Sequence, residues 1–203
     1  MLHLIKINTQ PQDWGYRLVI AEVNKRNEPL NHSLLKGKRM ATTIAPHKSS
    51  RNNNALNQAM QKTLTSTYGL YLATHNYHWN VEGEQFVSLH TLFEAQYNEL
   101  FLAIDRIAER IRALGHYALP FEEDHIPQIS KMISNPLNKE TDANLRAERM
   151  VHNLIALTGT VINVCRKAKE EACNAKDDET ENMLVERITA HQKALWMLES
   201  VFK

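Results

Sequence analysis

The chain of 203 residues is long enough for one domain with an appendage, and 43% hydrophobic residues with only six Gly and six Pro favour a helical protein with a substantial core. The first residues lack the apolar segment of a signal peptide, and no run approaches transmembrane length, so a soluble, cytoplasmic protein without membrane contact is expected. Cys165 and Cys173, the two cysteines, are spaced as reduced thiols on a helix and exclude a disulfide framework.

The net charge of +1 conceals two oppositely charged regions. Residues 1–53 contain nine Lys/Arg and three Asp/Glu, a net charge of +6, whereas residues 54–203 contain fifteen Lys/Arg and twenty Asp/Glu, a net charge of −5. A basic arm on an acidic body indicates a nucleic-acid contact, but it is equally typical of a solvated tail. Composition leaves both interpretations open.

Residues 1–53 are predicted to form a mostly disordered arm, because turn formers and polar clusters surround a single short apolar run, LVIAEV. A weak strand or helix is expected at that run. Met40 begins a polar, small-residue segment of the kind that opens many proteins. A translation start at Met40 would make residues 1–39 an over-long gene prediction.

From residue 55 onward, apolar residues recur at the spacing of one helix face. This pattern predicts helix A through Trp79, with a break at Gly83. Helix B is predicted from about Gln85 to Leu114, because this stretch contains no Gly or Pro. Gly115 is expected to end helix B as a C-cap.

The segment 120–127 is bounded by prolines and has room for only a short helix. Thr141 is the predicted N-cap of helix C, which reaches about Asn174. Asp177 or Asp178 is expected to open helix D. Four long helices with a long connection between the second and the third predict an all-α four-helix bundle covering residues 54–203.

Helix B carries two stripes of side chains. The first is an ordinary core stripe of apolar residues: Leu89, Phe93, Leu100, Ile104, Ile107, Ile111 and Leu114. The second mixes aromatic residues with metal-binding residue types: His90, Glu94, Tyr97, Phe101, Asp105 and Glu109. Ionisable groups on an apolar stripe are costly unless they are paired or bind a metal, so the second stripe is a candidate metal site.

A single copy of helix B cannot complete such a site, because Glu94 and Asp105 share a face but lie about 16 Å apart along the axis. A two-fold axis across the middle of helix B would bring the two ends together from different chains. The resulting cluster has two imidazoles and three carboxylates: His78, His90 and Glu94 from one chain, with Asp105 and Glu109 from the other. This ligand set suits Fe(II), with Zn(II), Mn(II) and Co(II) as competitors. Packed histidines and a solvated acidic face would give the same pattern, so spacing leaves both interpretations open.

Three segments, THNYHWNVEG, SLHTLFEAQYNEL and AIDRIAERIRALG, resemble the Dps family of DNA-binding proteins from starved cells. The resemblance covers about residues 54–202. It implies a ferritin-like four-helix bundle, assembled through two-fold dimers into a dodecamer with an iron-oxidising centre between subunits. The carried-over ligands, holding two irons per centre, are His78, His90 and Glu94, with Asp105 and Glu109 from the two-fold mate. Trp79 resembles the family's tryptophan beside this centre, an electron donor, with a core aromatic anchoring helix A as the alternative.

The resemblance implies that Fe(II) is oxidised, preferably with hydrogen peroxide rather than oxygen, and that Fe(III) is stored inside the shell, which protects DNA from oxidative damage. The KDDETEN segment resembles the family's iron pore at the three-fold axis. Asp178 is the best match there, and Asp177 or Glu181 would compensate for Asn182. An ordinary acidic helix start, stabilised by the helix dipole, accounts for the same residues.

Two other functions stay open. A DNA-compacting architectural protein with little iron oxidation would bind weakly through the basic arm, in a salt-sensitive contact with phosphate, and would associate with the nucleoid. A di-iron enzyme with its site inside one chain would need paired Glu-x-x-His motifs, and only Glu122 with His125 fits. Ferroxidation kinetics beside a gel shift at several salt concentrations would discriminate among these functions.

Overall fold

The computed structural model describes residues 51–121, 126–133 and 140–203, which contain five helices and no strand. The helices are α1 (Arg51–Asn80), α2 (Phe86–Ala113), α3 (Ile126–Ile133), α4 (Ala143–Ala175) and α5 (Asp178–Glu199). Predicted helices A to D correspond to α1, α2, α4 and α5, so the all-α four-helix bundle is confirmed. The short connecting helix, α3, lies later than predicted, because Pro127 is accommodated in its first turn, where a missing N–H is tolerated.

Several predictions fall on residues outside the described ranges. Of the predicted arm, residues 51–53 belong to α1, whereas residues 1–50, with the LVIAEV run and Met40, are not described. Glu122 and His125 are not described either. The arm, its boundary and an internal translation start therefore stay predictions.

α1 is the helix that the others share, since it packs against α2, α3 and α4, while α4 packs in turn against α5. Short turns join α1 to α2 and α4 to α5, so each pair is antiparallel. By contrast, α2 and α5 contact each other at few points. None of the described helices combines the length and the apolar sequence that crossing a bilayer requires.

The predicted core stripe of α2 is confirmed by burial. Its buried members are Leu89, Phe93, Leu100, Ile104, Ile107 and Ile111. Leu114 lies just past the helix and packs partly buried against the core. The chain turns at Gly115, whose φ of 88° is the left-handed conformation expected of a glycine that ends a helix.

The inner face of α1 carries hydroxyl groups that the apolar periodicity did not reveal. Thr63, Thr67 and Thr74 each donate to the carbonyl oxygen four residues earlier, at 2.9, 2.7 and 2.8 Å. Thr65 donates to the carbonyl oxygen of Pro120 at 3.3 Å, which joins α1 to the segment after α2. These hydroxyls are tolerated in the interior because each has an acceptor.

Two helix starts are capped by aspartates. Asp142 accepts from the backbone N–H groups of Asn144 at 2.8 Å and Leu145 at 3.0 Å, and so caps α4. The prediction of Thr141 as the cap is wrong by one residue, because the Asp142 carboxylate reaches two free N–H groups and its charge complements the helix dipole. Asp177 caps α5 by accepting from the N–H three residues later, as predicted for the start of that helix.

Polar side chains, rather than apolar packing, span the space between α2 and α5. The four bridges are Arg110–Asp177 (2.6 Å), Arg106–Glu186 (2.8 Å), Arg187–Glu99, and Gln96 to the carbonyl oxygen of Ala194 (3.4 Å). Because arginine side chains are long, helices joined in this way stand apart. Room therefore remains between α2 and α5.

The turn between α1 and α2 is fixed to the start of α4 by two polar contacts. Asn144 Oδ1 accepts from the backbone N–H of Glu84 at 2.9 Å, and Arg146 forms an ion pair with Glu82. Gly83 lies between them with φ 98°, a conformation that suits glycine. A Cβ atom at Gly83 would also overlap with Asn144 Oδ1.

We expect Gly83→Ala to destabilise the protein more than Gly115→Ala. Both glycines have positive φ, so each substitution introduces about 1–2 kcal/mol of backbone strain. Among the described residues, however, nothing lies within 4 Å of a Cβ at Gly115. Because of the overlap at Gly83, scanning calorimetry should show a melting temperature for Gly83→Ala that is at least about 2 °C below that of Gly115→Ala. Equal melting temperatures would show that the Asn144 side chain moves away from the new Cβ atom without loss of stability.

His191 is a buried imidazole beside a buried guanidinium. Arg187 Nη2 lies 3.4 Å from His191 Nε2, which must accept because arginine only donates. The Arg187 side chain is 4% exposed and forms an ion pair with Glu99. Burial, together with the charge of Arg187, lowers the pKa of His191 to about 3. The imidazole is therefore uncharged at neutral pH.

The free energy of unfolding should fall as the pH drops below 6.5, the ordinary pKa of histidine. In that range the unfolded chain binds a proton at residue 191 that the folded chain does not bind until the pH nears 3, so stability is lost progressively. His191 should contribute about 2 kcal/mol of loss between pH 7.5 and pH 5. Denaturant unfolding at both pH values should show this loss in the parent and in His152→Gln, which changes an exposed histidine, but not in His191→Gln. An unchanged pH dependence in His191→Gln would contradict the assignment.

Candidate metal centre

The end of α1 and the start of α2 bring His78 and His90 face to face. Their ring centroids are 3.8 Å apart, with 23° between the ring planes. His78 Nδ1 lies 3.0 Å from the carbonyl oxygen of His90, and His90 Nδ1 lies 2.9 Å from the carbonyl oxygen of His78. The two residues thus exchange a pair of side-chain-to-backbone hydrogen bonds.

This exchange determines which nitrogen of each ring is free. A carbonyl oxygen only accepts, so each Nδ1 must carry the hydrogen. In a neutral imidazole Nε2 then holds a lone pair. A hydrogen bond from one ring nitrogen to a carbonyl is also how metal-binding histidines are usually oriented. In this arrangement Nε2 of each ring has a lone pair that a metal ion could accept.

The predicted carboxylate ligands lie on the face of α2 that carries His90. Glu94 follows His90 by one turn, and Asp105 and Glu109 lie toward the other end of the helix, all three exposed. Phe101, between them, is 59% exposed. The second stripe of α2 is therefore a surface stripe in the single chain and not a second core stripe.

One chain brings together only part of the predicted ligand set. His78 and His90 meet, with Glu94 one turn along α2, whereas Asp105 lies about three turns farther along the helix than Glu94. No three His, Cys, Asp or Glu side chains in the described ranges form a cluster that could hold a metal ion. This distribution agrees with a site divided between two chains, and the contribution of the second chain stays a prediction.

Aromatic rings surround the histidine pair. The ring of His75 lies 4.0 Å from that of Trp79 and 4.2 Å from that of Tyr97, with which it is stacked. Tyr97 in turn meets the ring of His78 edge-on at 5.1 Å. Burial and the neighbouring His78 lower the pKa of His75, which favours its uncharged form. The sequence pattern did not single out His75 as a site residue, although its four-residue spacing to Trp79 was an available signal.

Trp79 is 65% exposed in the single chain. Its alternative interpretation, a core aromatic that anchors α1, is therefore wrong for the chain on its own. Trp79 and Phe101 both leave apolar surface on the side of the bundle that carries the candidate ligands. Large exposed apolar side chains on one side of a bundle are typical of a surface that a partner covers.

The three predicted pore carboxylates have different surroundings. Burial raises the pKa of Asp177, but hydrogen bonds from Thr180 and the charge of Arg110 outweigh burial and hold that pKa below its usual range. Glu181 forms an ion pair with Lys169 at 3.1 Å, whereas Asp178 is exposed. For Asp177 the structure thus shows the ordinary role at a helix start. A pore at a three-fold axis stays a prediction.

Comparison with known proteins agrees with this architecture. A family model described as a ferritin-like domain matches residues 53–203. The chain is 30% identical over 148 residues to DNA protection during starvation protein 2 of Bacillus anthracis, a match that covers 73% of this chain and 97% of that protein.

Two solved structures support the same grouping. Dps from Staphylococcus aureus is 28% identical with a TM-score of 0.63, over 73% of this chain and 95% of the other. A Dps protein from Vibrio cholerae, described as a member of a broad superfamily of ferritin-like diiron-carboxylate proteins, is 25% identical with a TM-score of 0.61, over 75% and 91% of the two chains. With its four-helix bundle and the HWNV motif at the turn that joins the two histidines, the chain belongs to the Dps family of ferritin-like proteins.

Proposed function

We propose that this protein is a ferroxidase that oxidises Fe(II), preferably with hydrogen peroxide, and stores Fe(III) inside a dodecameric shell, protecting DNA from oxidative damage. Fe(II) is the substrate, and two irons would bind at each site between two chains. The observation that carries the proposal is the exchange of hydrogen bonds between His78 and His90, which leaves both Nε2 atoms free. Membership of the Dps family supports the same chemistry.

The donor set suits iron. Imidazole nitrogen and carboxylate oxygen together are the ligands that Fe(II) sites commonly combine. The carboxylates of Glu94, Asp105 and Glu109 are exposed on the face of α2 that carries His90 and so are available to a second chain. Their negative charge would offset the charge of two metal ions and favour the higher charge of Fe(III) after oxidation.

The proposed reaction balances without a further reductant. Two Fe(II) ions each give one electron to one hydrogen peroxide molecule, its O–O bond breaks, and two protons complete two water molecules. Because both electrons arrive together, the one-electron step that would release hydroxyl radical is avoided. Fe(III) is then hydrolysed and stored as an oxyhydroxide. Trp79, whose ring lies 4.0 Å from that of His75, is the candidate electron donor.

Charge on the rest of the protein supports the delivery of iron. Residues 54–203 carry a net charge of −5, which in a closed shell would attract Fe(II) from solution. Asp178, exposed at the start of α5, is the candidate pore residue. The alternative function, DNA compaction with little iron oxidation, draws its support from the +6 charge of residues 1–53, which would contact phosphate directly.

His78→Ala and Asp105→Ala should each slow peroxide-driven Fe(II) oxidation by about tenfold or more, because each removes a proposed metal ligand. Stopped-flow absorbance of Fe(III) formation on the assembled protein measures the effect. His152→Ala and Glu199→Ala are matched controls that remove an exposed histidine and an exposed carboxylate away from the site, and they should retain the parental rate. Parental rates in both ligand variants would overturn the proposed site.

Mixed assemblies test whether the ligands come from two chains. A dimer of one His78→Ala chain and one Asp105→Ala chain retains one intact site, because His78 and Asp105 of that site belong to different chains. Randomly reassembled shells of the two inactive variants should therefore recover about a quarter of the parental sites. Iron oxidation by the mixture, after its composition is verified by mass spectrometry, measures the recovery.

The control is a second mixture, in which His78→Ala chains are reassembled with His90→Ala chains. Both ligands lie in the same half of the proposed site, so no mixed dimer contains an intact site and no activity should return. Recovery in the first mixture and not in the second assigns the histidines and Asp105 to different chains. Equal activity in the two mixtures would contradict the shared site.

A further inference from the structure

A cavity of about 350 Å³ lies between α2 and α5, two helices that contact each other at few points. Small side chains make the room: Ala95 on α2 faces the same space as Ala190 and Ala194 on α5. Leu70 from α1 and Thr158 from α4 also line the cavity. All four long helices therefore contribute to its wall.

This cavity is separate from the candidate metal centre. Glu99, which lines the cavity, is nine residues after His90. At 100° per residue, nine residues place the two side chains on opposite sides of α2. The cavity therefore shares no lining residue with the candidate metal centre.

The walls are mainly apolar, but the charges beside them do not cancel. Glu99 is paired with Arg187, a buried side chain that also contacts His191, another residue of the wall. Lys193 lines the cavity and is exposed, so its ammonium group can reach the opening. Two cations and one carboxylate leave one net positive charge at this site.

Arg187 has a second feature that favours an anion. Its Nε–H is buried and has no hydrogen-bond partner among the described residues. A buried donor without an acceptor is unfavourable, so the pair with Glu99 does not fully satisfy the guanidinium. Because Glu99 offsets the charge of Arg187, the net positive charge at the cavity is that of Lys193, which forms no ion pair among the described residues.

We propose that the cavity between α2 and α5 binds a small monocarboxylate with an apolar body of about two fused rings. The size follows from the volume, because a cavity of about 150 Å³ holds benzene, and this one is about twice as large. The apolar body would contact the alanine and leucine side chains of the wall. The carboxylate would lie toward Lys193, where it compensates the net positive charge.

Equilibrium dialysis of 2-naphthoate against the assembled full-length protein tests this site. We expect saturable binding of one molecule per chain, with Kd below about 1 mM. Ala190→Leu, which fills the cavity, should weaken binding by at least about tenfold. Ala156→Leu makes the same change on the exposed face of α4, outside the cavity, and should bind as the parent does.

A second comparison tests whether the charge of Lys193 contributes to binding of the carboxylate. Lys193→Gln should weaken binding of 2-naphthoate by about threefold or more and leave binding of the uncharged 2-naphthamide unchanged. Because Lys193 is exposed, this variant should fold even if Ala190→Leu does not. No saturable binding to the parent, parental affinity in a folded Ala190→Leu, or equal effects of Lys193→Gln on both probes would overturn the proposal.

Discussion

The pair of hydrogen bonds between His78 and His90 is the contact on which the candidate centre depends. It joins the last turn of α1 to the first turns of α2 and orients both rings with Nε2 free. Residues twelve apart can meet in this way only if the chain reverses tightly between them. Gly83 permits the reversal through its left-handed conformation, and Asn144 holds the turn from the start of α4. Backbone groups and one turn thus set the orientation of the two histidines that are the candidate ligands.

The side chains of α2 form three distinct faces: an apolar face, a face with the candidate metal ligands and a face toward α5. Its apolar face, with Phe93 and Ile107, is buried in the bundle. The face with His90 and the exposed carboxylates carries the proposed metal ligands and exposed apolar surface. The face with Glu99 meets α5 through long polar side chains. Because these faces do not overlap, the ligands can remain exposed while the bundle core stays apolar.

The space between α2 and α5 contains a buried arginine with an N–H group that is unsatisfied within the described ranges, and it also contains the cavity. Long side chains such as Arg187 span the space. Burial of this guanidinium beside His191 leaves one N–H without an acceptor among the described residues and keeps the imidazole uncharged. Closer apolar packing would remove both features, but it would also fill the cavity. The same side chains therefore account for the low pKa of His191 and for a pocket on the opposite side of α2 from the candidate metal ligands.

The sequence by itself determined the helices and named the candidate ligands, because periodicity, helix-ending glycines and short motifs are local signals. The predicted ends of α2 differ from the observed ones by a single residue. Only the tertiary structure decided which ring nitrogens are free, that Trp79 is exposed, and that Glu99 meets Arg187, 88 residues away. Such contacts depend on how distant helices approach each other, which no local pattern encodes. The proposed ligand set would also require a second chain, because Glu94 and Asp105 are too far apart on one helix to share a site within one chain.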